Sequence, residues 1–361
     1  MTIQLPVIDI MFKQQAKSFI TRSARGNAIL ILKDSTDLSF TTKQYKSIKE
    51  VMVDEAKYTA TNLQYIKDVF EGNPNLVTVV RVAADGTIAN ALATVATLNT
   101  GWVGFAEGTA QEYETLATWT IEQRDTYKKT FKSAVFEPTT QANHEGVVEL
   151  GNTKVTFKDA RREVTGDKFI PTLIGYLAAA NVEKGTTYSE MENLVSVVEP
   201  SNVNASLQLG KLTLINEDDI VKIGLGINSL TTVNEKKTED FKFIEIIEAQ
   251  DLILDDIRST FKSFIGKYKN NYDNQVIFLS AVNSYLKLLE DEEILDENFK
   301  NIAIINVEAQ RQAWLDAGKA EANDWDEATV KNRTFRRQVF LSGNIKILQS
   351  ITDLSFNINM E

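Results

Sequence analysis

The chain has 361 residues, 43% of them hydrophobic and 25% charged, with 17 glycines and 5 prolines. That length suits two or three domains, and so little proline and glycine excludes fibrous repeats and long disordered linkers. A formal net charge of −11 and the absence of cysteine disfavour nucleic acid and anionic membranes as direct partners, and exclude disulfides, thiolate nucleophiles and Cys-ligated metal centres.

The chain opens on "TIQLPV", where Ile3, Leu5 and Val7 alternate as on a strand with one buried face. The N-terminus lacks a basic region followed by an apolar core, so a secretory signal is not expected and synthesis in a cytoplasm is. "NAILIL" from Asn27 reads as a buried strand. A helix is expected to open at "TTKQYKSIKEVMVDEA", with Thr41 or Thr42 as its cap, and a second runs through "TNLQYIKDVFEG" to Gly72. "LVTVVRV" (Leu76 to Val82) is a β-branched strand. Then come a helix at "TIANALATVATL", a strand at "GWVGFAE", a helix at "YETLATWTIEQR" and a strand at "KSAVFE". This alternation predicts an α/β layer with mostly parallel pairing. "VVEL" and "KVTF", on either side of Gly151-Asn152, read as an antiparallel hairpin added to that layer.

An apolar helix is expected from Thr172. The run from Ile170 to Val182, broken by Pro171, is too short to span a bilayer. The polar stretch "EPSNVNAS" (Glu199 to Ser206) reads as a domain boundary. Beyond it come strands at "GKLTLI" and "DIVKIGLGI", then "FKFIEII" leading into a helix with Leu254, Ile257, Phe261 and Phe264 on one face. A further helix places Phe278, Val282, Leu286 and Leu289 together. "NIAIINV", a Trp-containing helical stretch, "TFRRQVFL" and "NIKIL" complete an α+β second domain. The chain closes on "ITDLSFNINME", in which Leu354, Phe356, Ile358 and Met360 alternate with polar residues. The expected organisation is thus an arm over 1–18, an α/β domain over 19–200, an α+β domain over 201–343, and a second arm over 344–361.

Catalytic groups are scarce. The single histidine, His144, lies in the loop-like "QANHEGV" and reads as a surface residue. No serine sits in a G-x-S-x-G turn. "EDEEILDE" (Glu290 to Glu297) reads as a solvated charge run at a helix end, with a divalent-cation site as the less favoured reading. "LGKLT" at Leu209 lacks the earlier glycine of a phosphate loop, and "GLGINS" has Ser229 where a dinucleotide fingerprint needs a third glycine. Arg161-Arg162 and Arg333, Arg336 and Arg337 are expected to pair with acids. No cofactor, metal ligand set or catalytic residue is assigned.

In "GKLTLINEDDIVKIGLGINSLTT" (Gly210 to Thr232) and in "IEAQDLILDDIRSTFKSFIGKYKNNYDNQ" after it, the chain resembles the contractile tail sheath proteins of bacteriophages. It looks most like the cysteine-free sheaths of Firmicute prophages and of diffocin-like R-type bacteriocins. The first half agrees more loosely, through "LVTVVRV" and "PTLIGYLAAANVEKGTTY". The resemblance implies a structural, non-enzymatic subunit that polymerises helically around an inner tail tube protein. Baseplate and tail terminator proteins would be its other partners, and assembly would be into a phage tail or tail-like bacteriocin released by lysis. It also implies that both terminal arms pair with neighbouring copies. Candidate acceptor edges are Lys211, Leu212, Thr213, Leu214 and Ile215, or Val221, Lys222, Ile223, Gly224 and Leu225. Gly226, Ile227, Asn228, Ser229 and Leu230 form the family-like turn. The competing readings are an α/β enzyme working through carboxylates, another self-assembling tail component, and a simple binding module.

Energetics make arm docking conditional. Burying Leu354, Phe356, Ile358 and Met360 contributes on the order of 6–12 kcal/mol in total, and ordering about eight residues costs roughly 8–16 kcal/mol. Backbone bonds add about 1 kcal/mol each. One arm alone docks near neutrality, whereas several engaged together bind strongly.

Overall fold

The computed structural model describes residues 20–23, 25–180 and 185–358. The strand expected at Ile3, Leu5 and Val7, and Met360 of the C-terminal arm, lie outside them. Two compact units divide the chain. The larger is Ser23–Asp255 with the segment from Ile347; the smaller is Asp256–Lys346 with the segment ending at Arg22. The break therefore falls at Asp255/Asp256, inside a helix, and not in the polar stretch Glu199–Ser206. That stretch runs into a helix of the larger unit, and the strand after it pairs with the larger unit's main sheet.

The larger unit begins with β1 (Asn27–Lys33), β2 (Thr42–Tyr45), α1 (Ile48–Val53), α2 (Ala60–Phe70), β3 (Leu76–Val82), α3 (Ile88–Val95), β4 (Trp102–Phe105), α4 (Ala110–Asp125) and β5 (Lys132–Phe136). It continues through β6 (Val147–Leu150), β7 (Lys154–Phe157), β8 (Glu163–Thr165), α5 (Ile170–Ala179), β9 (Leu194–Val197), α6 (Val203–Gln208), β10 (Lys211–Leu212), β11 (Leu214–Glu217) and β12 (Ile220–Ile223). Seven strands form the main sheet in the order β10-β6-β5-β4-β1-β3-β2. All its pairings are parallel except β2 with β3. Parallel strands need cover on both faces. The apolar runs of β1 and β3 receive it from two helix pairs, α2 with α5 and α3 with α4.

Side-chain caps set where these helices start. Thr59 Oγ1 accepts from Asn62 N ahead of α2, and Thr109 and Glu112 form a reciprocal capping box at α4. Two expectations are corrected. The first helix starts at Ile48, capped by Ser47, because Thr42–Tyr45 pairs antiparallel with β3 instead. The hairpin expected around Gly151-Asn152 does not form. β6 stays in the main sheet, while β7 joins β8 and β9 in a three-stranded antiparallel sheet. Buried Asn152 accounts for the divergence: its Oδ1 accepts from Leu214 N at 2.6 Å and its Nδ2 donates to Leu214 O at 2.9 Å. The side chain takes a strand's pairing place, so the backbone turns away.

α7 (Ile244–Phe264) runs from the larger unit's sequence into the smaller's, followed by α8 (Tyr272–Asp291), β13 (Ile302–Ile305), α9 (Val307–Asp316), α10 (Glu327–Asn332) and β14 (Leu341–Asn344). In the smaller unit Phe278 sits between Phe261 and Phe264, each ring 5.1 Å away. Phe278, Val282, Leu286 and Leu289 are buried together, as the spacing predicts. "TFRRQVFL" is a strand only from Leu341. Before that, Asn270 Nδ2 donates to the carbonyls of Arg336 and Gln338, and Arg336 holds a left-handed φ of 44°. These contacts impose a turn on an extended-looking sequence. "NIKIL" contributes only Asn344 to β14. Among the described residues no helix is long and apolar enough to cross a membrane.

Candidate functional site: a strand edge and an exposed tail

β13 and β14 form a two-stranded antiparallel hairpin, with Ile302 opposite Asn344 and Ile305 opposite Leu341. Its two outer sides differ. On β13, Ala303 N donates to Asn283 Oδ1 at 2.8 Å, and Asn283 Nδ2 donates to Ala303 O at 3.0 Å. Main-chain groups alternate sides along an antiparallel strand. With those of Ala303 turned out to Asn283, those of Gly343 and Leu341 turn out on the opposite side. Among the described residues no backbone group bonds to them there. Gly343 permits the tight pairing, since a Cβ on it would lie 2.6 Å from Ile302 O. β14 is thus an open edge, and its last three residues are exposed.

The candidate acceptor edges named from sequence are engaged within the chain. Lys211 and Leu212 pair with β6, and Leu214 and Ile215 pair with Ile223 and Lys222. Thr213 O accepts from Gly224 N at 2.9 Å. The far side of β12 is closed as well: Tyr188 N donates to Ile223 O, Ile223 N to Ser189 O and Met191 N to Val221 O, at 2.8, 3.0 and 2.8 Å. Leu225 belongs to the turn leaving β12 and O of that residue accepts from Ile227 N. Sequence alone did not point to β14, because "LSGN" carries no β-branched or alternating signal.

The family-like turn is a latch for another loop. Ser229 Oγ donates to His144 O at 3.0 Å and Ser229 N to Val147 O at 2.8 Å. Asn228 Nδ2 donates to Phe241 O while its Oδ1 accepts from Leu230 N. Gly226 O accepts from Ile244 N and sits where α7 begins, and Ile227 is buried beside it. Next in the chain, Thr231 N and Thr232 N both donate to Asn143 Oδ1. The motif therefore holds the segment around His144 against the main sheet.

His144 is buried, not a surface residue. Burial lowers its pKa, against the pull of Glu145. Its Nδ1 accepts from Gly146 N at 3.0 Å, which puts the neutral ring's proton on Nε2, facing Asp125 and Glu145 at 3.4 and 3.5 Å. Glu145 also binds Lys237 Nζ at 2.7 Å. Asp125, His144 and Glu145 lie close enough to hold a cation, yet a ring with its Nδ1 lone pair committed offers Nε2 as a donor rather than a ligand. In the acidic run 290–297, Asp291, Glu293 and Glu297 are exposed as a solvated run requires, while the other acids are partnered. Glu290 meets Lys287 and Asn301, Glu292 meets Arg22, and Asp296 meets Lys346, while Ile294 and Leu295 are buried. Arg161 pairs with Asp68 and Asp159, as expected of it. Arg333 and Arg336 instead stack on Trp325 and Phe335, at 4.6 and 5.1 Å.

A second feature is the C-terminal tail. Ile351, Leu354, Phe356 and Ile358 are 97%, 89%, 74% and 69% exposed, and residues 351–358 belong to no strand of the chain. Four large apolar side chains in one short exposed segment exceed what scattered surface residues explain.

Residues 236–361 match the family described as phage tail sheath C-terminal domain. Over 98% of its length the chain is 27% identical to the tail sheath protein of Clostridium phage phiCD119, of which it covers 98%. Among solved structures, the sheath tail protein of Desulfitobacterium hafniense superposes with a TM-score of 0.69 at 16% identity, over 83% of this chain and 93% of that one. The anti-feeding prophage helical sheath in its contracted state gives a TM-score of 0.70 at 11% identity, over all of both chains. The two structures share this chain's fold, residues 236–361 match the phage tail sheath C-terminal domain, and a phage tail sheath protein is similar to the chain over nearly its whole length.

Proposed function

We propose that this protein is the repeating structural subunit of a contractile tail sheath, and that copies join by lending the C-terminal strand of one to the β14 edge of the next. The observation that carries the reading is the coexistence, in one chain, of an unpaired strand edge and an exposed alternating apolar tail. An open edge is an aggregation hazard unless it has an intended occupant. Strand addition supplies one: main-chain bonds give affinity, and alternate side chains give register. Donor and acceptor on different surfaces make a heterologous contact, which builds a helical array when the rotation does not close.

In this reading the sheath surrounds an inner tail tube and sits on a baseplate, and a terminator protein finishes its far end. Contraction draws on a packing difference between two lattices and uses no nucleotide, in keeping with the failed phosphate-loop pattern around Lys211. The subunit is made in the host cytoplasm and leaves within a tail or tail-like particle on lysis.

Negative-stain electron microscopy tests this, applied to the purified chain and to variants lacking residues 1–18 or 345–361. Tubes or rings from the full chain that disappear on trimming either end are the expected result. Monomers from all three at high concentration, even with inner tube protein added, would sink the reading and return attention to a carboxylate enzyme.

A further inference from the structure

The tail does not become free where β14 ends. Lys346 is fixed first: Asp296 N donates to Lys346 O at 2.9 Å, Lys346 N donates to Asn301 Oδ1 at 2.9 Å, and Lys346 Nζ reaches Asp296 Oδ2 at 2.8 Å. A second attachment follows within the larger unit. Gln349 Nε2 donates to Asp240 Oδ1 at 2.9 Å. Ser350 N donates to Glu245 Oε1 at 3.1 Å, and Ser350 Oγ donates to Glu245 Oε2 at 2.6 Å. Both carboxylate oxygens of Glu245 are thereby used on one residue of the tail. Full exposure starts at the next residue, Ile351.

Two features mark this contact as built. Glu245 lies in the first turn of α7, the end of a helix at which acidic side chains are favourably placed. Gly185 lies against the same pair. A Cβ there would stand 2.9 Å from Glu245 Oε2 and 3.1 Å from Ser350 Oγ, so a side chain would crowd the carboxylate just where it grips the serine. Gly185 has no positive φ, which leaves the space as what its lack of a side chain provides.

We propose that Glu245 and Ser350 form a releasable clip that sets the free length of the C-terminal arm. Engaged, the arm begins at Ile351; open, it begins at Ile347. The four released residues add roughly 13 Å of reach at about 3.3 Å per extended residue. Hydrogen bonds at an exposed site are individually weak enough to open under load. A sheath whose neighbours change spacing can therefore draw out arm length without breaking a strand pairing. The proposal rests on the arm's role as a donor strand.

Hydrogen exchange on the full-length monomer, resolved at the Ser350 amide, tests the clip without assembly. Glu245→Ala is expected to speed exchange there about tenfold, the factor corresponding to one net hydrogen bond. Gly185→Ala and Ser350→Ala are expected to speed exchange over residues 349–351 in the same direction, with the amides of β14 unchanged. An amide that already exchanges at the free-chain rate in the wild type, or one that Glu245→Ala leaves unchanged, overturns the clip. Electron microscopy of the wild type answers the other question. If exchange responds as expected but no tubes form, the assembly reading fails, and with it the clip's proposed use.

Discussion

Lys132 Nζ donates to Asp251 Oδ2 at 2.9 Å, and both side chains are almost wholly excluded from water. Around them Arg124 makes two bonds to Asp251 at 2.9 Å each, Lys132 reaches Glu248 Oε1 at 3.0 Å, and Trp102 Nε1 donates to the same oxygen at 2.9 Å. The network fastens the first half of α7 to α4, β4 and β5. Removing Asp251 takes the carboxylate from Arg124 and leaves Lys132 ion-paired with Glu248 alone. Asp251→Ala is expected to cost about 3–5 kcal/mol, read as a lower urea midpoint with an unchanged slope.

Acid should loosen the same unit. Burial would push Asp251 up, but Lys132 and Arg124 outweigh it and hold the carboxyl well below the usual range. Asp34 is likewise pushed up by burial, yet bonds from Asn62, Thr59 and Thr36 bring it down to about 2. Both folded values lie below the unfolded ones, so the contribution is complete above about pH 4 and is lost as pH falls toward 2. Denaturant midpoints measured across that window should drop, and Asp34→Asn should be less stable at neutral pH with a flatter acid limb.

The crossing of α2 and α5 leaves no room for a methyl group. A Cβ on Gly175 would lie 2.0 Å from Val69 O, and one on Gly72 would lie 2.2 Å from Gly175 C. Gly175→Ala forces the two helices apart and is expected to cost at least about 1–3 kcal/mol, seen as a lower melting temperature. In an ordinary exposed helix position the same change would stabilise.

Leu341→Pro tests the edge directly. The N–H it removes points away from β13, so the hairpin keeps its own bonds while a docking strand loses one and meets a ring. Melting of the monomer should change little, and polymerisation, followed by light scattering and microscopy, should be lost.

Phe356→Asp tests the donor. The ring is 74% exposed in the single chain, so monomer stability should stay within about 0.5 kcal/mol of the wild type. A charge at a site that becomes buried on docking should raise the concentration needed for assembly by at least about tenfold.

Much of the fold was legible where one pattern ruled a segment. Leu76–Val82 is β-branched throughout and is β3 over the same bounds, and the face of α8 follows from its spacing. Three of the misreadings share a cause: a polar side chain acting at long range on the backbone. Asn152 parts β6 from β7, and Asn270 turns the chain before β14. Ser229, distant in sequence, draws His144 inward. Nothing local in "QANHEGV" or "GNTK" announces such partners. At the site, the alternation of Leu354, Phe356 and Ile358 was plain in the sequence. The open edge of β14 was not, because such an edge is defined by what fails to pair with it.

Asn283 has one more consequence. By closing the β13 side of the hairpin it leaves the hairpin a single open side. Within the assembly reading, each subunit then gives its C-terminal strand once and receives one once. A row built this way has direction: it ends in an unfilled vacancy at one extremity and an unspent donor at the other. Those two extremities are chemically unlike, so whatever starts the row and whatever stops it must be different proteins.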